Sequence, residues 1–154
     1  MPKRISLIKT NIPERIDAIR QVVRVQYTEE IRAARGSALS EDVIHVFAEN
    51  ALNVSRQSNH FFYDIVSEGK LIGFSWVSDE QDLLKTMFVH FLYIDPDSRG
   101  LGYGKDAVKE LCWEGKSRGL ISLSLHVFSQ NLAAISFYNS VGFTATGIQM
   151  FKPI

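Results

Sequence analysis

The sequence predicts a mixed α/β fold in three layers: a central sheet of about six or seven strands, part parallel and part antiparallel, with helices on both faces. Three observations carry this. Thr86 to Ile94 is nearly all apolar apart from His90, and it is followed by a glycine-rich loop, a helical pattern and then a strictly alternating segment, Ile121 to Val127. Strand, helix and strand in that order imply a right-handed parallel crossover. Earlier, His60 to Val66 and Lys70 to Val77 are rich in aromatic and β-branched residues and are separated by Ser67-Glu68-Gly69, a hairpin signal that makes this part of the sheet antiparallel. Finally, 154 residues with 45% hydrophobic and 22% charged content suit one domain spanning 1–154. A chain of that length buries roughly two-thirds of its unfolded surface without metal or disulfide help.

The elements follow in order. Ile5, Leu7 and Ile8 alternate loosely with Ser6 and Lys9 in a first strand, which Asn11-Ile12-Pro13 ends. From Pro13 to about Ala34 apolar residues recur at three and four, and Pro13 suits a first helical turn, so a helix runs here with a break near Tyr27. Ser40 caps a second helix over about Glu41 to Ser55, with Glu41 and Asp42 in its first turn. The aromatic hairpin comes next, then a polar connection from Ser78 to Lys85. Thr86 to Ile94 reads as a strand buried on both faces, which belongs at the middle of a sheet. After the glycine loop, Ala107, Val108, Leu111, Cys112 and Gly115 form one helical face, and Lys116, Arg118 and Gly119 mark its end. Asn131 to Val141 is helical, with Gly142 beyond it, and Phe143 to Gly147 and Ile148 to Ile154 read as two last strands, the final one incomplete or lent to a partner.

Composition removes several function classes. Lys plus Arg and Asp plus Glu both number 17, so no global field recruits nucleic acid or an anionic membrane, and any polyanion must be met locally. The single cysteine, Cys112, excludes an intrachain disulfide and a multi-cysteine metal site, and its place on the apolar helix face assigns it to the core. No apolar run approaches a membrane-spanning length, and the N-terminus lacks a secretory apolar region, so the expectation is a cytoplasmic protein. There is no internal repeat, low-complexity tract or linker.

The chemistry concentrates in Asp95-Pro96-Asp97-Ser98-Arg99-Gly100-Leu101-Gly102-Tyr103-Gly104, between the apolar strand and the helix. The first turn of a helix leaves N–H groups without intrahelical partners, and with the helix dipole these attract an anion. Glycines let the backbone approach closely and adopt φ > 0 where N–H groups converge. Phosphate or pyrophosphate is the expected guest, with Arg99 as an added donor. Gly102-x-Gly104-x-x-Ala107 matches the letters of the dinucleotide fingerprint, yet Pro96 interrupts the strand-to-glycine turn and Leu123, Leu125 and Val127 stand where its acid should lie. The P-loop also fails: Gly100 to Gly104-Lys105 is one residue short, and Asp106 replaces the magnesium-binding Ser or Thr.

Arg99-x-x-Gly102-x-Gly104 after a strand ending in Asp95-Pro96, with Asn131-x-x-Ala134-x-x-Phe137-Tyr138-x-x-x-Gly142-Phe143 following at the right distance, resembles the paired signature of the GNAT superfamily of acetyl-CoA-dependent N-acetyltransferases. The resemblance covers about Thr86 to Gly147; the first 85 residues agree in element order alone. It implies a GNAT-like fold and transfer of the acetyl group of acetyl-CoA directly to a primary amine in a ternary complex, with no metal. On that resemblance Arg99, Gly100, Leu101, Gly102, Tyr103, Gly104 and Lys105 form the pyrophosphate loop. Leu92, Tyr93 and Ile94 offer the strand along which the pantetheine arm lies, Asn131 contacts the same co-substrate, and Tyr138 is the general acid. A tyrosine, with an ordinary pKa of about 10, can protonate the leaving thiolate without prior ionisation. No acid lies between Thr86 and Ile94, so His90, with an ordinary pKa near 6.5, is the candidate base, weighed against a satisfied structural histidine and against a water chain. Lys105 and Lys109 suit the nucleotide's extra phosphate, as they also suit a solvated helix face. Tyr27, Glu29, Glu30, Arg32 and Arg35 are the polar groups available near an acceptor.

The acceptor expected from the neutral composition is a small amine or amino-acid-like metabolite. A peptide or protein amine is the alternative, and a CoA-binding regulatory module without turnover is the reading from outside the enzymes. A homodimer through the C-terminal strands is an expectation from the resemblance.

Overall fold

The computed structural model describes residues 4–22, 24, 40–80, 83–150, 152 and 154. Strand β1 (Ser6–Thr10) leads through a 3-10 turn (Ile12–Arg15) into helix α1 (Ile16–Val22), and helix α2 follows (Glu41–Ser55). The hairpin is β2 (His60–Ser67) and β3 (Lys70–Asp79), then come β4 (Thr86–Ile94), helix α3 (Tyr103–Ser117), β5 (Ser122–Leu125) and helix α4 (Leu132–Ser140). Tyr27, Glu29, Glu30, Arg32, Arg35 and the expected continuation of the first helix past residue 24 lie outside the described residues.

The strands form one mixed sheet in the order β1-β2-β3-β4-β5, antiparallel except for the parallel β4–β5 pair. The crossover through α3 explains that parallel pair. Alternation along each strand divides the core in two. On one face Phe62, Phe74, Trp76 and Phe91 pack against Ile19 of α1 and Ile44 of α2. On the other, Leu111 of α3 packs with Tyr63, Val77, Met87 and Val89, and Ala107 packs with Ile5, Ile65 and Ile72. Helices therefore cover both faces, as the sequence pattern requires.

Local signals behave as expected. The Ser40 hydroxyl accepts from the Val43 N–H at 3.3 Å, starting α2; a cap not read from the sequence starts α4, where the Asn131 side chain accepts from the Ala134 N–H at 3.0 Å. Gly119 and Gly142 follow their helices at φ 77° and 99°. Arg118, at the end of α3, reaches the Asp79 carboxylate through two hydrogen bonds of 2.8 and 2.9 Å, donates to the Tyr63 hydroxyl at 2.9 Å and covers the Phe61 ring. This bidentate, half-buried pair locks α3 to the end of β3.

Four expectations need correction. Five strands stand among the described residues instead of six or seven, because residues 143–150 form no ladder. Phe143 packs its ring against Tyr138, whereas Ile148 and Met150 are 91% and 90% exposed, and an extended segment without a neighbouring strand has neither ladder bonds nor a face to bury. The strand expected over Ile121 to Val127 contracts to β5, since only Ser122 to Leu125 find partners, at Thr86 to Val89. Strand β3 lengthens to Asp79 because Ser78 and Asp79 pair with Phe88 and Met87, which shortens the polar connection. Cys112 is half-buried; its neighbour Leu111 takes the position fully inside the core.

Candidate active site

The short reach of β5 makes the site. Its ladder to β4 ends at the Val89–Leu125 pair, while β4 runs on to Ile94 and pairs there with β3 alone. One backbone edge of β4 therefore opens into a cavity of about 590 Å³ whose far wall is His126, Val127, Phe128 and helix α4. Unpaired strand edges present N–H and C=O groups to an incoming extended, amide-bearing ligand.

At the C-terminal end of β4 the cavity meets the glycine loop. A short 3-10 turn (Pro96–Ser98) reverses the chain, Gly100 and Gly102 take φ of 75° and 85°, and Gly102 is the N-cap of α3. That left-handed backbone is accessible to glycine without steric cost, and Tyr103, Gly104 and Lys105, which open α3 and so lack intrahelical partners for their N–H groups, line the cavity. Gly104 serves packing: a Cβ there would come within 3.1 Å of the Phe137 ring. The first signature thus needs its last glycine to seat the aromatic of the second.

Arg4, just before β1, braces this loop. Its guanidinium donates to the Leu101 carbonyl, lies 3.3 Å from the Asp106 carboxylate and stacks 4.9 Å from the Tyr103 ring centre. Gly73 braces the neighbouring strand: a Cβ there would strike the Tyr93 carbonyl oxygen. Arg99 is exposed; it donates to the Ile94 carbonyl at 2.8 Å and lies over the Tyr93 ring.

The structure gathers nearly every residue that the sequence singles out. His90, Leu92, Tyr93, Ile94, Arg99, Gly100, Gly102, Tyr103, Gly104, Lys105, Asn131 and Tyr138 all line the cavity. Leu101 does not: its side chain is 58% exposed outside, and only its carbonyl takes part, as the anchor for Arg4. Lys109 is exposed on α3 away from the cavity lining. His126 lines the cavity wall with its ring edge-on to Phe128. Among the described residues no group of His, Cys, Asp and Glu side chains is placed to hold a metal ion, and no helix is long and apolar enough to cross a membrane.

His90 sits at a β-bulge. Trp76 pairs with Phe91 and Val77 with Val89, so His90 has no partner across β3. A bulge re-aims side chains, and here both the His90 and Phe91 rings stack on Trp76, with centroids at 4.2 and 5.9 Å. The His90 ring also stacks on His60 at 5.4 Å and meets the edge of Phe88 at 4.9 Å. Burial, and then the neighbouring His60 charge, push the His90 pKa down to about 4. Burial likewise lowers the His60 pKa, opposed by Glu80. Both imidazoles are therefore neutral near pH 7. Behind them, Ser78 Oγ lies 2.8 Å from His90 Nε2 and donates to Glu80 at 3.0 Å.

Sequence reading missed Arg4, His60, Ser78 and Glu80: Arg4 reaches the glycine loop from 97 residues away, His60 and Ser78 meet His90 across strands, and Glu80 joins through Ser78. Gly73 carried a usable signal, since glycine inside a strand marks a bulge or a close backbone approach.

Comparison with known proteins agrees with this geometry. The acetyltransferase (GNAT) family profile matches residues 17–143. The chain is 30% identical to the uncharacterised N-acetyltransferase YdgE of Bacillus subtilis over 109 residues, 69% of each protein. It is 28% identical to the uncharacterised N-acetyltransferase YycN of the same organism, over 83% of this chain and 85% of that one. The crystal structure of YycN superposes with a TM-score of 0.80 over 97% of this chain and 98% of its own. The [ribosomal protein bS18]-alanine N-acetyltransferase of Escherichia coli is 27% identical over 71% of this chain and 73% of its own. With most of its length matched by the family and its two signatures meeting at one cavity, the chain belongs to the GNAT family and is an N-acetyltransferase.

Proposed function

We propose that this enzyme transfers the acetyl group of acetyl-CoA to the primary amine of a small, amino-acid-like metabolite, by direct attack while both substrates are bound. The observation that carries the proposal is the continuity of the β4 edge beyond the reach of β5, Leu92 to Ile94, with the left-handed glycine loop at the start of α3. An amide-bearing arm ending in a pyrophosphate fits that combination, and the GNAT resemblance supports the same assignment. Leu92, Tyr93 and Ile94 would hold the arm by their backbone groups, and Arg99 to Lys105 the pyrophosphate. Acetyl-CoA supplies an acyl group already activated as a thioester.

The remaining chemistry falls to side chains of this chain. An amine attacks only as the neutral base, so a proton must leave it, and a departing thiolate gains from a proton delivered to sulfur. His90 is our candidate for removing the first proton, because it is neutral near pH 7, half-buried and on the cavity wall. Tyr138 is our candidate for delivering the second, as a half-buried phenol on the opposite wall that need not ionise beforehand. The His90 ring is packed between Trp76, His60 and Phe88 at that end of the cavity.

A peptide N-terminus is the second reading, favoured by the likeness to the bS18-alanine enzyme. One experiment tests both: titration calorimetry with acetyl-CoA, CoA and NADH, with thiol release followed against amino acids, polyamines, aminoglycosides and peptides. Acetyl-CoA binding with thiol release driven by small amines is the expected outcome. Release driven by peptides alone would exchange the acceptor, binding without release would indicate a CoA-binding module, and no CoA binding would overturn the reading of the glycine loop.

A further inference from the structure

We infer that Ser78 and Glu80 are positioning residues that hold His90 in one tautomer, with the proton on Nε2, so that Nδ1 is the ring atom able to take a proton from the acceptor amine. The tautomer follows from hydrogen-bond inventory alone; its catalytic use rests on the proposed role of His90 as base.

The Ser78 hydroxyl has one proton. It donates that proton to the Glu80 carboxylate at 3.0 Å, an acceptor that has none to give. The 2.8 Å contact between Ser78 Oγ and His90 Nε2 then works only if Nε2–H donates and Oγ accepts. A neutral imidazole protonated on Nε2 carries its lone pair on Nδ1. Ser78 is 1% exposed, so no bulk water competes for this link.

The neighbouring histidine has the same tautomer but is engaged at its other nitrogen. The Trp76 indole, which can only donate, gives its Nε1–H to His60 Nδ1 at 3.1 Å. This contact uses the acceptor nitrogen of His60 and leaves Nε2–H. Of two stacked imidazoles, therefore, His60 has its lone pair engaged and His90 keeps one at Nδ1. The titratable groups facing His90 are His60 from β2 and, through Ser78, Glu80 at the end of β3.

The proton step balances simply. The amine N–H bond breaks, its electron pair stays on nitrogen to form the new C–N bond, and a Nδ1–H bond forms. The resulting imidazolium keeps Nε2–H on Ser78, whose hydroxyl is already polarised by Glu80. The Ser78–Glu80 pair meets the Nε2 side of the ring, so proton uptake at Nδ1 leaves that hydrogen bond in place. The arrangement depends on the bulge, since a histidine in regular register would lie opposite a β3 residue.

The test is long-range proton–nitrogen NMR of the full-length protein labelled with 15N-histidine at pH 7, combined with kinetics. His90 is expected to show protonated Nε2 and unprotonated Nδ1. Glu80→Ala, on an exposed side chain, should bring in the other tautomer and lower kcat about tenfold while the KM for acetyl-CoA stays within about twofold. Glu80→Gln, whose amide oxygen still accepts from Ser78, should keep the tautomer and recover part of that loss. Ser78→Ala should resemble Glu80→Ala. Protonated Nδ1 in the wild type would overturn the inference, as would a tautomer and kcat indifferent to Glu80→Ala and Ser78→Ala. Separately, His90→Gln with unchanged kcat would remove His90 as the base and leave the tautomer result standing.

Discussion

From Thr86 to Val89, strand β4 is hydrogen-bonded to β3 on one side and to β5 on the other; from Leu92 to Ile94 it keeps β3 alone and turns its other edge to the cavity. The residues differ little in kind, since both stretches are aromatic and aliphatic. Their environments differ greatly. Met87 is fully buried beneath α3, while Leu92, Tyr93 and Ile94 are only partly covered. What separates structure from site within one strand is where its neighbour stops. The bulge at His90 marks the junction, and the catalytic candidates lie at or beyond it.

If the two halves divide the labour in this way, substitutions should separate activity from stability. The largest effect is expected across the cavity from the open half: Tyr138→Phe should lower kcat about 100-fold, the lower end of what general acid catalysis contributes, with the melting temperature unchanged. Steady-state kinetics and calorimetry on one preparation check this, and an equal fall in stability would return Tyr138 to a packing role.

In the closed half the pattern should reverse. Met87→Ala empties a fully buried position and should cost about 3 kcal/mol in denaturant unfolding, leaving the acetyl-CoA KM of the folded fraction within about twofold. A selective rise in KM would show that the inner half also shapes the site.

The loop at the end of the open half should respond through binding. Gly102→Val places a β-branched residue at φ 85° and should raise the acetyl-CoA KM at least about tenfold, while Arg4→Ala, which removes the brace on Leu101, Tyr103 and Asp106, should raise it about threefold. Equal binding by wild type and Gly102→Val in calorimetry would mean that the loop does not hold the pyrophosphate.

The smallest expected effect is on pH dependence. With the His90 pKa held near 4, protonation of this base should remove less than about half of kcat between pH 7 and pH 5, and the acid limb should fall near pH 4. The same shift acts on stability. The folded pKa lies below the ordinary value near 6.5, so the unfolded chain takes up the proton first, and stability declines as pH falls from about 6.5 to about 4. His90→Gln should flatten that slope in denaturation series across the same window, and an unchanged slope would assign it to another group.

By itself the sequence determined whatever depends on a few neighbouring residues. The helix starting at Tyr103 and its glycine entry, the cap at Ser40, and the hairpin at Gly69 are all legible because capping and positive φ are set by the residue and its immediate neighbours. The glycine loop was singled out on the same local grounds, whereas Tyr138 came from the resemblance to the GNAT signature and His90 from being the one side chain of its strand that titrates near neutrality. Tertiary structure decided the rest. Only strand pairing shows that β5 stops at Leu125 and opens the β4 edge, and only it reveals the extra residue at His90. The brace from Arg4 spans 97 residues and the link from Ser78 to His90 spans 12, distances over which no periodic pattern survives. The strands expected from Phe143 onward find no ladder over residues 143–150 for the same reason: composition states which residues suit a strand, but a strand exists only where another lies beside it, and that is a property of the folded whole.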